Sequence, residues 1–424
     1  MIPMKFIREN PQLVRDAIRD KKEKRGDVDR LLELDEQLRK LTTTADELKS
    51  QRNTNSKEIG RLQKAGEDAT EQKAAMQSVA TRIKELDGEL RDLNGALQEE
   101  LLYIPNLPLP EVPVGSSEED NREVATHGEP RQFDFEPLDH LQLSERHGLL
   151  DMQRGAKITG SGFPLYRGDG ARLERALINF MLDLHTREHG FEEVFTPFVA
   201  NADAMRGTGQ IPKLVDDMYH IGQEDLYLIP TAEVTITNIF QGDILPEKEL
   251  PQSLAGCSAC FRREAGSYGK DTRGLLRVHQ FNKVEMVKLV KPEESPQALE
   301  QLRGFAEKVL QLLGIHYRVL ELCTADLSFA AARCYDLEAW APGEDKFLEV
   351  SSCSNFLDFQ ARRANIRYRD DASGKVRFVH TLNGSGLATS RLFVALIETW
   401  QNQDGSITIP EALRPWFNDR EKIG

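Results

Sequence analysis

The sequence predicts an α+β chain: an N-terminal antiparallel α-helical coiled-coil arm, then a domain built on a mainly antiparallel β-sheet flanked by helices. Three observations carry this. Leucines step by three and four along two runs separated by the pentapeptide KAGED. Prolines at 105, 108, 110 and 113 then interrupt the chain. Beyond them several strand-like segments follow one another without an intervening helix, which favours antiparallel pairing over a doubly wound sheet.

The first run is Leu31, Leu34, Leu38, Leu41, Ala45 and Leu48, resuming at Ile59 and Leu62 after a polar break at Arg52 and Asn55. The second is Met76, Val79, Ile83, Leu86, Leu90, Leu93 and Leu97. Each is a heptad seam on one helix, and KAGED is turn-like, so residues of about 27 to 101 should form a hairpin. With roughly 35 residues per helix the arm would be on the order of 50 Å long. Heptads more often serve dimerisation, but the turn lets this pair close on itself. Near its tip Lys49, Arg52, Lys57, Arg61 and Lys64 meet only Glu58. Such a charge run is ordinarily a solvated face. Lys49, Lys57, Arg61 and Lys64 also share a side away from the seam, where they would suit a phosphate backbone.

The predicted organisation is an N-terminal domain over 1–104, a proline-rich connecting segment over 105–129, and a catalytic domain over 130–424. In the last, residues 171–190 read as an amphipathic helix stopped by Gly190. Strands are expected in 191–200, 225–230, 256–265, 275–290, 316–323, 346–363 and 376–382. NGSGLATSR, residues 383–391, should carry glycines into an apolar helix.

Composition narrows the class. With 69 acidic residues against 55 Lys plus Arg the net charge is -14, which favours solubility and does not exclude nucleic acid, because binding answers to local charge. No run of eighteen apolar residues suggests a membrane span, and the N-terminus resembles neither a signal nor a transit peptide. Five cysteines without an export signal read as reduced thiols in a cytoplasmic protein. Cys257 and Cys260 form CxxC, but no second pair or histidine lies at zinc-finger spacing, so no zinc is expected. Trp340, Trp400 and Trp416 read as core or boundary aromatics.

The densest chemistry lies in FRREAGSYGKDTRGLLRVHQFNKVEM, residues 261–286. Arg262, Arg263, Lys270, Arg273 and Arg277 there face only Glu264 and Asp271. A basic, glycine-rich loop over a sheet would clamp a polyphosphate, since arginine offers planar paired donors. Glu264 follows Arg262 by two and should share its strand face. Alone, the two read more simply as an ion pair on a sheet surface. His279 could serve as a base or as a structural contact. NGSGLATSR lacks the GxxxxGK[ST] pattern of a P-loop.

Taken in order, the strand ending at Pro197, FRRE with HQFNKVE, and GLATSR resemble the three signature motifs of class II aminoacyl-tRNA synthetases. With RNTNSKEIG in the arm, the TAE triplet 231–233, EVSSCSNFLDFQARR and TLNGSGLATSR, nearly the whole chain resembles the seryl-tRNA synthetase family. The resemblance implies a homodimer that activates serine with ATP and passes it to serine tRNA, with selenocysteine tRNA as a second candidate. It implies that Arg262, Glu264 and Arg391 are catalytic. Arg262 would meet the α-phosphate, Glu264 the adenine amino group, Phe281 the adenine face and Arg391 the terminal phosphates. Arg263, Val278, Glu349, Val350, Ser351 and Ser352 would complete the ATP site, Glu349 and Ser352 holding Mg²⁺. Thr231, Ala232, Glu233, Arg262, Glu285, Asn383 and Ser385 would surround serine. Lys49, Arg52, Lys57, Arg61 and Lys64 would contact tRNA. Two alternatives remain, a synthetase-like ligase acting on a carrier protein and a catalytically silent binding paralogue. The long arm speaks against the first, and the retained Arg262, Glu264, Glu349 and Arg391 against the second.

Overall fold

A computed structural model describes residues 1–265 and 273–424. It divides into two compact units, Met1–Pro105 and Asn106–Gly424.

In the first unit, short helices Met4–Glu9 and Pro11–Asp20 pack on a helical hairpin, Val28–Ala65 and Thr70–Leu101. Asp27 caps the first long helix by accepting from the Arg30 amide, and Gly66 ends it in the left-handed region at φ 72. Leu31, Leu34, Ala45, Ile59 and Leu62 are buried, as are Ile83, Leu86 and Leu97 across from them. Between Ala45 and Ile59 the first helix buries nothing, the structural counterpart of the polar break. Asp35 is buried at the base and held by Arg8 at 2.7 Å and Arg39 at 2.9 Å, so its charge is paired.

The second unit is organised by an eight-stranded sheet. From edge to edge its strands are Arg122–His127, Tyr317–Glu321, Arg333–Ala341, Lys346–Asn355, His380–Ala388, Gln280–Val290, Gln252–Phe261 and Glu192–Glu193. Every pairing is antiparallel except the last, where Glu192 and Glu193 run parallel to Leu254 and Ala255. Helices Gly168–Arg187, Ser295–Leu313 and Thr389–Thr399 cover one face and enclose the main core, which includes Leu177, Met181, Val284, Met286, Leu302, Phe393 and Leu396. Alternation then sends the polar set to the other face. Along Gln280–Val290, Val284 and Met286 enter the core while Phe281 and Lys283 line a cleft.

Several segments depart from expectation. Arg122–His127, inside the segment expected only to connect, pairs with Tyr317–Glu321 as an edge strand. Arg333–Ala341 is a central strand that was not foreseen. The expected strand over 346–363 ends at Asn355, and Phe359–Ala364 is helical. The glycines of NGSGL lie within the strand His380–Ala388, and the helix begins at Thr389. Gly386 is needed there because a Cβ would come within 2.5 Å of His185 Nε2.

Candidate active site

Strands Gln252–Phe261 and Gln280–Val290 pair as far as Phe261 opposite Gln280. The described residues next to the two strand ends, Arg262 and Val278 among them, therefore line a cleft of about 1190 Å³, ample for a nucleotide and a small co-substrate. Arg262 and Glu264 both line it, though not through strand alternation. The strand stops at Phe261, and Glu264 adopts a left-handed backbone with φ 51. Its carboxylate pairs with Arg277 at 2.9 Å. The Arg262 guanidinium sits 5.2 Å from the centre of the Phe281 ring and donates to the Pro230 carbonyl. Arg263 does not line the cleft. It donates instead to the Asp216 carbonyl at 3.1 Å, because it points away between its two neighbours. Lys270 and Asp271 lie outside the described residues.

Beyond that segment, the Leu275 amide donates to Nε2 of buried His140, whose Nδ1 meets Glu344 at 3.0 Å. Among the described residues His140, Glu344 and Glu398 are the one cluster of three His, Cys, Asp or Glu side chains close enough to share an ion, and none of them lines the cleft. His279 is structural. Its amide donates to the Gly162 carbonyl, its Nδ1 meets the Arg262 carbonyl, and its ring stacks on Phe163. A Cβ at Gly162 would lie 2.3 Å from that ring.

The floor comes from Lys346–Asn355 and His380–Ala388. Glu349, Val350, Ser351, Ser352, Asn383, Ser385, Val278 and Arg391 all line the cleft. Glu349 and Ser352 are three apart and would face oppositely on a regular strand. A bulge at Val350 resets the register and brings both round. Arg391 donates to the Glu349 carboxylate at 3.1 Å and to its carbonyl at 3.0 Å. Ser352 contacts Cys334 Sγ at 3.1 Å, and a neighbouring half-buried carboxyl, Asp336, is pushed up by desolvation and by Glu349. A carboxylate and a hydroxyl on one strand, with a second carboxyl beside them, form a hard-oxygen donor set that fits Mg²⁺.

At the other end lies a buried polar pocket. Glu285 has no exposed surface. It accepts from Thr231 at 3.0 Å and Asn383 at 3.0 Å and pairs with Lys283 at 2.6 Å. It thus stands one layer behind the wall, and Ala232 likewise packs into a small core cluster. Thr231, Glu233, Lys283, Asn383 and Ser385 form the wall itself. Glu233 is fully desolvated and close to Glu285, and its carboxyl is pushed up to about 7, with Gln360, Lys283 and Arg262 opposing the rise. Oδ1 of Asn383 is buried and has no hydrogen-bond partner among the described residues.

Lys283 and Gln360 were missed in the sequence. The signal for Lys283 was available: it precedes Glu285 by two on a strand and so shares its face. Glu174 was missed too. This buried side chain on the helix Gly168–Arg187 accepts from Asn282 at 2.8 Å and Thr389 at 2.5 Å, tying together the strand and the helix that supply Phe281 and Arg391. The CxxC cysteines lie three apart on one strand, and Cys260 is buried while Cys257 is half-buried. Burial pushes the Cys257 thiol up to about 12.

In the arm, Lys57, Arg61, Lys64 and Arg52 are exposed, with Arg61 paired to Glu58 at 2.8 Å. Lys49 does not join them. It lies at the flank of the seam and reaches Asp87 of the facing helix at 3.0 Å.

Comparisons with known proteins agree along the whole chain. Residues 1–108 match the seryl-tRNA synthetase N-terminal domain, and residues 217–400 match the tRNA synthetase class II core domain (G, H, P, S and T). A serine–tRNA ligase of Chlorobium luteolum is 55% identical over 424 residues, covering 98% of each chain. One from Geobacter sulfurreducens is 52% identical over the full length of both. The crystal structure of seryl-tRNA synthetase from Pyrococcus horikoshii complexed with ATP superposes with a TM-score of 0.94 at 38% identity, covering 100% of this chain and 99% of that one.

Proposed function

The chain belongs to the seryl-tRNA synthetase family of class II aminoacyl-tRNA synthetases, and from that premise we propose how its residues divide the work. The protein is a serine–tRNA ligase: it activates serine with ATP and transfers it to the 3′ end of serine tRNA. The observation that carries the reading is the continuity of one cleft, from the Arg262–Glu264 rim to the Thr231–Glu233–Asn383 pocket. A cationic nucleotide site and a small pocket for an ammonium group thereby share a wall.

In the first step a serine carboxylate oxygen bonds to the α-phosphorus of ATP, the bond to the bridging oxygen breaks, and pyrophosphate leaves. The attacking group is already ionised, so no general base is required. Positioning and charge neutralisation do the work. Arg262 serves both the serine carboxylate and the α-phosphate, Phe281 stacks on adenine, Glu264 accepts from the adenine amino group, and Arg391 takes the terminal phosphates. Glu349 and Ser352 would hold a Mg²⁺, which when bound supplies positive charge to the polyphosphate. Glu233 receives the serine ammonium, and Asn383 Oδ1 and Ser385 stand by for its remaining donors. Thr231 and Glu285 brace that wall. In the second step the terminal ribose hydroxyl of tRNA attacks the carbonyl of the mixed anhydride and AMP departs.

Arg52, Lys57, Arg61 and Lys64 supply phosphate contacts on the arm. A homodimer is supported by Phe195, which is 86% exposed beside Phe198; an aromatic so placed suits an interface with a second copy, and sedimentation reads the assembly directly. A translation enzyme works in the cytoplasm, and among the described residues no helix is long and apolar enough to cross a membrane. The test is ATP–pyrophosphate exchange with each of the twenty amino acids in turn. Serine alone should support it, and exchange driven by another amino acid instead would overturn the assignment.

A further inference from the structure

Behind the wall of the serine pocket sits a side chain that touches no cleft surface. Gln360, on the helix Phe359–Ala364, is 1% exposed and donates from Nε2 to Glu233 Oε1 at 2.6 Å and to the Thr208 carbonyl at 3.2 Å. Its Oε1 accepts from the Thr381 hydroxyl at 2.7 Å. Thr381 is wholly buried and also absent from the cleft wall.

The orientation of this amide is over-determined. The Thr208 carbonyl, which can only accept, meets one end together with a Glu233 carboxyl oxygen, so that end is the NH₂. The Thr381 hydroxyl meets the other end as a donor. Rotating the amide by a half-turn would set an oxygen against the Glu233 carboxylate and leave the Thr208 carbonyl unpaired. The other carboxylate oxygen, Oε2, accepts from Asn383 at 3.2 Å. The wall carboxylate is therefore fixed between two amides, one inside the cleft and one behind it.

We propose that Gln360 and Thr381 are a positioning pair for serine selection: the Thr381 hydroxyl locks the Gln360 amide, and that amide aims the Glu233 carboxylate at the substrate ammonium. The proposal rests on the serine reading of the cleft and adds two residues that never touch the substrate. Buried side chains that orient a ligand-binding group commonly matter nearly as much as the group itself.

The test uses the full-length enzyme and serine-dependent pyrophosphate exchange. Thr381→Val keeps the shape and removes only the donor, whereas Thr381→Ser restores it. The Val variant should raise the serine KM about three- to tenfold, as loss of one buried hydrogen bond in a chain would. The KM for ATP should stay within about twofold, and the Ser variant should match wild type. Gln360→Met should raise the serine KM roughly tenfold or more. Adding Thr381→Val to Gln360→Met should then cost nothing further, because the lock has no amide left to hold. A Val variant with an unchanged serine KM overturns the proposal. So do additive effects in the double variant, or equal losses for serine and ATP, which would mark a merely structural role; thermal melts verify that each variant is folded. Failure of the serine reading itself would show separately, as wild-type exchange without serine dependence.

Discussion

On the proposed reading Glu233 must be charged to receive the serine ammonium, yet it is buried where charge is costly. Its pKa of about 7, against an ordinary 4.5, arises chiefly from desolvation and secondly from Glu285. That difference corresponds to roughly 3 kcal/mol against the ionised form. Below about pH 7 the free enzyme holds this group mostly protonated, and a neutral carboxyl offers no charge to the substrate ammonium. Raising the pH ionises it, so serine capture should strengthen with pH. The slope of log kcat/KM for serine should approach one below about pH 6.5 and flatten above about 7.5. The bound ammonium stabilises the carboxylate, so kcat, which reports the complex, should break at a lower pH than kcat/KM. Pyrophosphate exchange between about pH 5.5 and 8 measures both, with kcat/KM for ATP as an internal control for titration of the nucleotide. Glu233→Gln should lose the acid limb altogether. It should also reduce kcat/KM for serine roughly 10- to 150-fold, the range for one charge-assisted contact. A flat serine profile in the wild type, or an acid limb that survives in the Gln variant, would refute the assignment.

Three other outcomes are expected. Arg262→Ala should slow pyrophosphate exchange roughly 10²–10³-fold while weakening ATP binding far less, since its donors face charge that grows in the transition state; a near wild-type rate would remove it from the chemistry. Deleting residues 31–100 with a short Gly/Ser bridge should leave serine-dependent exchange intact and collapse tRNA charging; normal charging by a folded deletion variant would give the arm another purpose. Glu174 receives both its donors on Oε1, its Oε2 has no partner, and the neighbouring Tyr166 hydroxyl has none either. Burial raises its pKa, so Glu174→Gln should unfold in denaturant much as wild type does, while Glu174→Ala should lose about 2–4 kcal/mol. Equal loss in both variants would exclude the neutral form.

The hairpin was legible because a seam of leucines writes its period directly into the sequence, and Leu31, Leu34 and Leu86 are buried as that period requires. The cleft was legible only through motifs. No pattern announces that Arg262 shares a cleft with Asn383 and Arg391, because over a hundred residues separate it from both. Arg333–Ala341 was overlooked for a physical reason. Its cleft-facing positions are Cys334, Asp336 and Glu338, and acids at alternate places mask the apolar alternation by which a strand is recognised. The helix Phe359–Ala364 was taken as strand because a six-residue helix is too short to show its period. Gln360 was hidden with it: its importance lies in what it faces across the fold. Glu285 was expected beside serine, and the structure buries it fully against Thr231, Asn383 and Lys283, a depth that strand alternation cannot show.

The charge balance of the pocket explains why such a site suits a free amino acid. Glu233 and Glu285 are carboxylates when ionised, and Lys283 and Arg262 are the cations that lower the Glu233 pKa against the pull of burial. Two negative and two positive groups form a neutral set, and serine arrives as a zwitterion, also neutral. On the proposed reading its ammonium would meet Glu233, whose carboxylate is held among the described residues by the amides of Gln360 and Asn383, while Lys283 pairs with Glu285. On the same reading its carboxylate would meet Arg262, which among the described residues donates to the Pro230 carbonyl and lies over the Phe281 ring. Each pole of the substrate would thus find an opposite charge that forms no ion pair among the described residues. An amine lacking the carboxylate would leave Arg262 uncompensated, and an acid lacking the ammonium would leave Glu233 so. In a desolvated pocket an unpaired charge costs several kcal/mol. Selection for a small molecule bearing both charges is therefore built into the wall before the hydroxyl of serine is read at all.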